Sequence, residues 1–178
     1  MNLKFCFTAT KCRSWPKLKL YVDNTLYKEL SFNSATGAID VKVDALFHGN
    51  HVIDIELHGK TIYNTIVKDN VIVEDQTVTL DSVYLDDVKL PDFVKYKGIF
   101  DSTDQTLSPC LTWGLNGKWS LNFTSPVINW LLETKTSEYN WNEKDNRGEL
   151  SNYTNPIKTN AMITGLQQLE QILKNVNI

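Results

Sequence analysis

The sequence predicts a mainly β protein, an antiparallel β-sandwich or jelly roll with an amphipathic α-helix at its C-terminal end. Three observations predict it. Apolar and polar residues alternate with a period of two through most of the chain before Pro91. Polar breaks rich in Asp, Asn and Gly recur about every eight to twelve residues, the rhythm of all-β sandwiches. No helical period interrupts the strands before Pro91, so a parallel sheet with its crossover helices has no room to form.

The strands can be taken in order. Leu3, Phe5 and Phe7 alternate with Lys4, Cys6 and Thr8, which is a half-buried strand. Leu18, Leu20 and Val22 repeat the pattern, and Asp23-Asn24 then tolerates the positive φ of a tight hairpin turn. Beyond it Leu26, Leu30 and Phe32 are expected to share one face. Ile39, Val41 and Val43 form the next strand, and Phe47-His48-Gly49-Asn50 turns the chain. His51, Ile53, Ile55 and Leu57 face inward, opposite Val52, Asp54 and Glu56. Val71–Val73, Val78–Leu80 and Ser82–Leu90 continue the sheet pattern, with a change of phase across Asp86-Asp87 that predicts a bulge or tight turn.

After Pro91 the character changes. Phe93–Ile99 reads as one more strand, and Asp101–Pro109 as a polar loop. Leu111-Thr112-Trp113 and Lys118–Phe123 flank Gly114-Leu115-Asn116-Gly117, a hairpin pattern. Ser125-Pro126 introduces Val127, Ile128, Trp130, Leu131 and Leu132, too short an apolar run to separate helix from buried strand. Residues 134–153 read as a long polar loop, and Asn155-Pro156 opens a helix whose Met162, Leu166, Leu169, Leu173 and Val176 form one apolar stripe. The domain reading is therefore a sandwich over 1–100, additional strands and a short helix packed on it over 101–133, and a loop arm with the terminal helix over 134–178.

Composition narrows function by exclusion. Eighteen Lys and Arg against twenty-one Asp and Glu in 178 residues give a net charge of −3, without the basic face that tracks phosphates, so no nucleic-acid partner is expected. No apolar run is long enough to span a bilayer. Met1-Asn2-Leu3-Lys4-Phe5 enters a strand at once, without the pattern of a secretory signal, so folding in a reducing cytoplasm is expected. Cys6, Cys12 and Cys110 are odd in number and form no CxxC pair, which predicts free thiols and no zinc site. His48, His51 and His58 match no metalloprotease spacing, and neither a nucleophile elbow nor a phosphate loop is present, so no enzyme and no cofactor are expected.

Two groups of residues invite a binding role. Asp69, Glu74, Asp75, Asp81, Asp86, Asp87 and Asp92 gather acidic oxygens of the kind a hard cation takes, but without the spacing of a contiguous calcium loop they read as strand ends and turns. Among the aromatics, Trp113, Trp119 and Trp130 sit in apolar neighbourhoods and read as core, whereas Trp15, Tyr139 and Trp141 sit among polar residues. Tyr139-Asn140-Trp141-Asn142-Glu143, with Tyr153, unites an aromatic face with amides and a carboxylate. It is the candidate interaction segment, either stacking on a sugar or anchoring in a neighbour, and Leu166, Leu169 and Leu173 form the candidate interface of the terminal helix.

Gly49-Asn50-His51-Val52-Ile53-Asp54-Ile55-Glu56-Leu57 followed by Val73–Asp87 resembles the strand rhythm of xylan-binding-like, calcium-dependent carbohydrate-binding jelly rolls. In that family a polar Asn-Asp pair after the first strand contributes to the calcium site. Leu57-His58-Gly59-Lys60 stands there in this chain, so no tightly bound metal is expected. Over most of its length the chain, with Ala9–Pro16, Val88–Tyr96 and a composition rich in Asn and poor in Gly, resembles small structural proteins of tailed bacteriophages. That resemblance implies a virion component, a head decoration or a tail, baseplate or fibre part. It would be assembled in the host cytoplasm and act through contacts with other virion proteins as a homo- or hetero-oligomer. The alternative is a carbohydrate-recognition module binding host surface glycans.

Overall fold

A computed structural model of the protein describes residues 1–44, 48–102, 106–107 and 110–134. The terminal helix expected over 156–178 and the loop arm before it lie outside the described residues. In chain order the strands are β1 (Asn2–Thr10), β2 (Lys17–Val22), β3 (Thr25–Ser31), β4 (Thr36–Lys42), β5 (Gly49–His58), β6 (Thr65–Lys68) and β7 (Val71–Asp75). They continue with β8 (Thr77–Leu85), β9 (Val88–Lys89), β10 (Ile99–Ser102), β11 (Thr106–Leu107), β12 (Thr112–Trp113) and β13 (Gly117–Ser125). One sheet runs β12-β8-β1-β4, with β9 beside β8; the other runs β11-β10-β13-β5-β2-β3, and β6-β7 stands apart as a two-stranded hairpin. Each of these pairings is antiparallel.

The inward faces of the two sheets form one apolar core. Leu3, Phe5 and Phe7 of β1 and Val78, Leu80, Val83 and Leu85 of β8 join Leu18 and Leu20, Ile53, Ile55 and Leu57, and Trp119, Leu121 and Phe123 from the larger sheet. The aromatic centre is a stack: Phe100 and Trp113 lie 5.5 Å apart at 11°, and Trp113 meets Trp119 at 6.2 Å. Trp113 and Trp119 are fully buried as their neighbourhoods predict, and Trp130 packs half-buried against the core.

Three tight turns share one device. Asp23-Asn24, Asp69-Asn70 and Asp86-Asp87 each place two consecutive residues at positive φ, which matches the right-handed twist of the strands they join. Short Asp and Asn side chains tolerate that region better than other non-glycine residues. Asp86-Asp87 is thus the tight turn between β8 and β9. The change of phase comes earlier, where pairing with β1 slips between Cys6 and Phe7 and leaves Asp81 as the extra residue. This bulge lets both Leu80 and Val83, three residues apart, point into the core.

The structure corrects four local expectations. Thr112-Trp113 and Gly117–Ser125 do not form a hairpin with each other: β12 pairs with β8 in one sheet and β13 with β5 and β10 in the other. Gly114-Leu115-Asn116 therefore bridges the two layers. Residues 93–99 are not a strand; Asp92–Lys95 is a one-turn helix, and β10 begins only at Ile99. Within the expected polar loop 101–109, Asp101 and Ser102 belong to β10 and Thr106-Leu107 forms β11. Leu26 does not join Phe32 inside, because the register of β3 slips opposite Leu20/Tyr21 and leaves Leu26 exposed. The apolar run after Pro126 is helical over 127–134.

A row of alternating charge crosses the outer face of the larger sheet. Glu29, Lys19, Glu56, Lys118 and Asp101 lie directly across β3, β2, β5, β13 and β10, alternating in sign at every step. Beside this row Asp54, only 5% exposed, accepts from Ser120 Oγ at 2.6 Å and Lys118 Nζ at 3.0 Å. The Tyr21 hydroxyl donates to Glu56 Oε2 at 2.9 Å. That hydrogen bond, then burial and the charges of Glu56, Glu29 and Asp54, raises its ionisation above the usual phenol value.

At the β2–β3 turn Asp23 Oδ1 accepts from Val52 N–H at 2.9 Å and Oδ2 from His51 Nδ1 at 2.8 Å. Partial burial alone would push this carboxyl up, but the His51 hydrogen bond, the Val52 amide and the His51 charge outweigh it and hold it below its ordinary value. Its contribution to stability is therefore present above about pH 4, the unfolded range, and is lost as pH falls through the lower folded value. Between pH 5 and 2, Asp23→Asn is expected to flatten the acid-side loss of thermal stability relative to the wild type; parallel melting curves for the two proteins would refute it. A second expectation concerns Gly98, where an added Cβ would lie 2.2 Å from Cε2 and Nε1 of the buried Trp119 ring. Gly98→Ala should lower the unfolding free energy by about 1–3 kcal/mol in urea titration, the usual result of overpacking a core; an unchanged midpoint would show that the ring yields.

Candidate functional site

The segments after β1, after β5 and between β12 and β13 meet at one end of the sandwich. Their meeting point is Lys60. The chain leaves β5 at His58, turns at Gly59 with φ 78°, and sends the Lys60 side chain inward until it is only 8% exposed. Its ammonium donates to Asp75 Oδ1 at 2.5 Å, to the Gln76 carbonyl at 2.9 Å and to the Gly114 carbonyl at 2.5 Å. A lysine has three donors, and all three are used. Asp75 Oδ1 also accepts from Thr65 Oγ1 at 2.5 Å. The Lys60 backbone pairs reciprocally with the Asn116 amide, at 2.9 Å from its N–H and 2.8 Å to its carbonyl. Carboxylate and carbonyl oxygens are also what a hard cation takes, but here the ammonium of the chain's own lysine sits at their focus. Among the described residues no group of three or more His, Cys, Asp and Glu could hold a metal ion.

Next to this anchor, buried amides hold the loop after β1. Asn64 ends the 3-10 turn Ile62–Asn64 and accepts from the N–H and Oγ1 of Thr61 at 2.9 Å each. Its Nδ2 donates to the Cys12 carbonyl at 2.8 Å and to Ser14 Oγ at 2.9 Å. Gln76 Nε2 donates to the Ser14 carbonyl at 2.9 Å. The carbonyls on both sides of Arg13 are therefore fixed from below. Ser14 N–H donates to the Cys12 carbonyl at 2.7 Å and Arg13 has φ 60°, so Arg13 is the apex of a three-residue turn in a conformation that non-glycine residues avoid.

Above this frame lies an exposed surface. The Arg13 guanidinium sits 5.6 Å from the centroid of the Tyr63 ring, and Tyr63 remains 63% and Ile62 83% exposed. Val67, Val71, Ile72 and Val73 of the β6–β7 hairpin add further exposed apolar side chains.

The residues singled out from sequence fare differently. Tyr139, Asn140, Trp141, Asn142, Glu143, Tyr153, Leu166, Leu169 and Leu173 lie outside the described residues. Trp15 is half-buried and packs on the core instead of standing in solvent. The acidic residues do not converge: Asp75 holds Lys60, Asp81 accepts from Thr8, Asp86 accepts from the Asn2 amide and Asp92 pairs with Lys95. Sequence reasoning missed Tyr63 and Arg13. The available signal was weak: an Ile-Tyr pair in an aperiodic stretch between strands, and a lone arginine between Cys12 and Ser14.

No protein-family model matches the chain, and no curated protein matches it. Two solved structures do. One, described as vCBM60 in complex with galactobiose, is 9% identical with a TM-score of 0.49, over 68% of this chain and 99% of that one. Another, a selenomethionine form of vCBM60 described with two families of calcium-dependent carbohydrate binding modules, is 10% identical with a TM-score of 0.46, over 67% of this chain and 89% of that one. Likenesses this distant fix neither a ligand nor a metal for this chain. None of these comparisons bears on the resemblance to bacteriophage structural proteins.

Removing the Lys60 ammonium leaves the Asp75 carboxylate and two carbonyls without their shared donor. Lys60→Met is expected to destabilise by about 2–3 kcal/mol, below the range for a fully buried pair because Asp75 is 22% exposed. Lys60→Met combined with Asp75→Asn should recover part of that loss in chemical denaturation. Strict additivity of the two changes would show that the pair is not coupled.

Proposed function

We propose that this protein is a non-catalytic recognition module that binds carbohydrate at the loop end built around Lys60. The observation that carries the reading is Tyr63: a ring 63% exposed, standing on a loop frame held by a buried lysine and two buried amides. An exposed aromatic face offers contact to the C–H face of a pyranose, while neighbouring polar groups read hydroxyls. A frame already fixed before binding lowers the ordering cost of the complex. Reaction chemistry has less support. The carboxylates placed side by side on one strand face, Asp54 and Glu56, are engaged by Ser120, Lys118 and Tyr21. The resemblance to tailed-phage structural proteins supports a setting on a virion surface, where the ligand would be a host surface glycan.

A second reading rests on a separate observation. Val67, Val71, Ile72 and Val73 are each about half or more exposed on the β6–β7 hairpin, with Val67 directly across from Ile72, and exposed aliphatic side chains paired in this way suit protein docking better than sugar binding. The two readings separate by mutation. Tyr63→Ala should weaken glycan binding at least tenfold in calorimetry with no change in melting temperature, and Ile72→Ser should leave it unchanged. Loss on Ile72→Ser with no effect of Tyr63→Ala would favour the docking reading.

A further inference from the structure

Arg13 is an unusual residue for the apex of its turn. A φ of 60° suits Gly or Asn, and for a long side chain it is a strained conformation that persists only where the surroundings impose it. Here they do, through the Asn64 and Gln76 amides, which are 5% and 2% exposed and bind the carbonyls of Cys12 and Ser14. The result is an exposed guanidinium, fixed at its backbone and leaning on the Tyr63 ring. Among the described residues it has no carboxylate partner, and neither has the exposed Lys11 two positions earlier. Lys19 and Lys118 on the larger sheet each lie across from carboxylates, whereas these two cations at the loop end have none.

We infer that this end selects an acidic saccharide, with a sugar carboxylate on the Arg13 guanidinium and the pyranose ring against Tyr63. The inference rests on the carbohydrate reading above and adds the ligand's class. A guanidinium presents a planar fork of donors that meets both oxygens of a carboxylate, which a lysine ammonium cannot do. The guanidinium lies over one face of Tyr63 at 5.6 Å from its centroid, and the rest of that ring, 63% exposed, is left for the sugar beside the carboxylate it holds. The strained turn is the structural cost of holding the fork there before the ligand arrives.

The test uses the full chain, a linear oligouronate, and the neutral oligosaccharide made from it by reducing the carboxyl groups, compared by calorimetry at low and moderate salt. The acidic form should bind at least tenfold more tightly than the neutral one and weaken as salt rises. Arg13→Gly and Arg13→Asn relieve the turn, so their melting temperatures should equal or exceed the wild type while the preference for the acidic form disappears. Arg13→Lys should keep only part of it. Equal binding of acidic and neutral forms, or full retention of the preference in Arg13→Gly, overturns the inference and leaves the carbohydrate reading standing. Failure of both saccharides, and of a wider glycan array, overturns both. An acidic peptide that binds with the same dependence on Arg13 while no saccharide does assigns the site to protein recognition and also overturns it.

Discussion

The loop end of this sandwich depends on one buried ammonium. The end of β5, the β7–β8 connection and the β12–β13 connection lie at the same end of the sandwich, but they join strands of different sheets and have no ladder to hold them. Lys60, just after β5, links the other two through Asp75 and Gln76 on one and Gly114 on the other. A lysine is costly to bury, because its charge leaves water. The cost is offset only when a carboxylate neutralises it and every donor is used, and both conditions hold here. With that point fixed, Asn64 and Gln76 lie where their amides reach the loop after β1, and the surface bearing Arg13 and Tyr63 follows from their positions.

Positive-φ residues divide by purpose. Asp23-Asn24, Asp69-Asn70 and Asp86-Asp87 occupy that region in residues that tolerate it, and each serves the twist of a hairpin. Arg13 occupies it without such tolerance and outside any hairpin. Its neighbours' carbonyls are bound by buried amides, so the strain is imposed by tertiary contacts. A local departure of this kind, opposed by propensity and maintained by packing, is where a fold departs from its own stability for the sake of a surface.

Charge is handled differently on the two parts of the larger sheet's surroundings. Across its outer face one row of charges alternates in sign, from Glu29 through Lys19, Glu56 and Lys118 to Asp101. Such pairs add little each, but together they neutralise the row that crosses the sheet. The loop end is the contrast, with aliphatic side chains and cations turned to solvent. Recognition is therefore more readily supported at the end of the sandwich than on the flat of its sheet.

The sequence by itself determined the strands and their inward faces, because a period of two survives in Leu3-Phe5-Phe7, Leu18-Leu20-Val22 and Ile53-Ile55-Leu57 whatever the strands pair with. It also determined the Asp23-Asn24 turn, whose chemistry is local. It did not determine that β12 and β13 part into different sheets, since a pattern of alternation names a buried face and not a partner. Nor did it show the candidate site. Lys60, Asp75 and Gly114 are far apart in the chain, and nothing local in any of them signals a shared hydrogen-bond centre. Arg13 and Tyr63 lie fifty positions from each other and meet only because Asn64 reaches Cys12 across that separation. Tertiary structure decided these features, because their energy comes from long-range polar contacts that exist only once both sheets are in place.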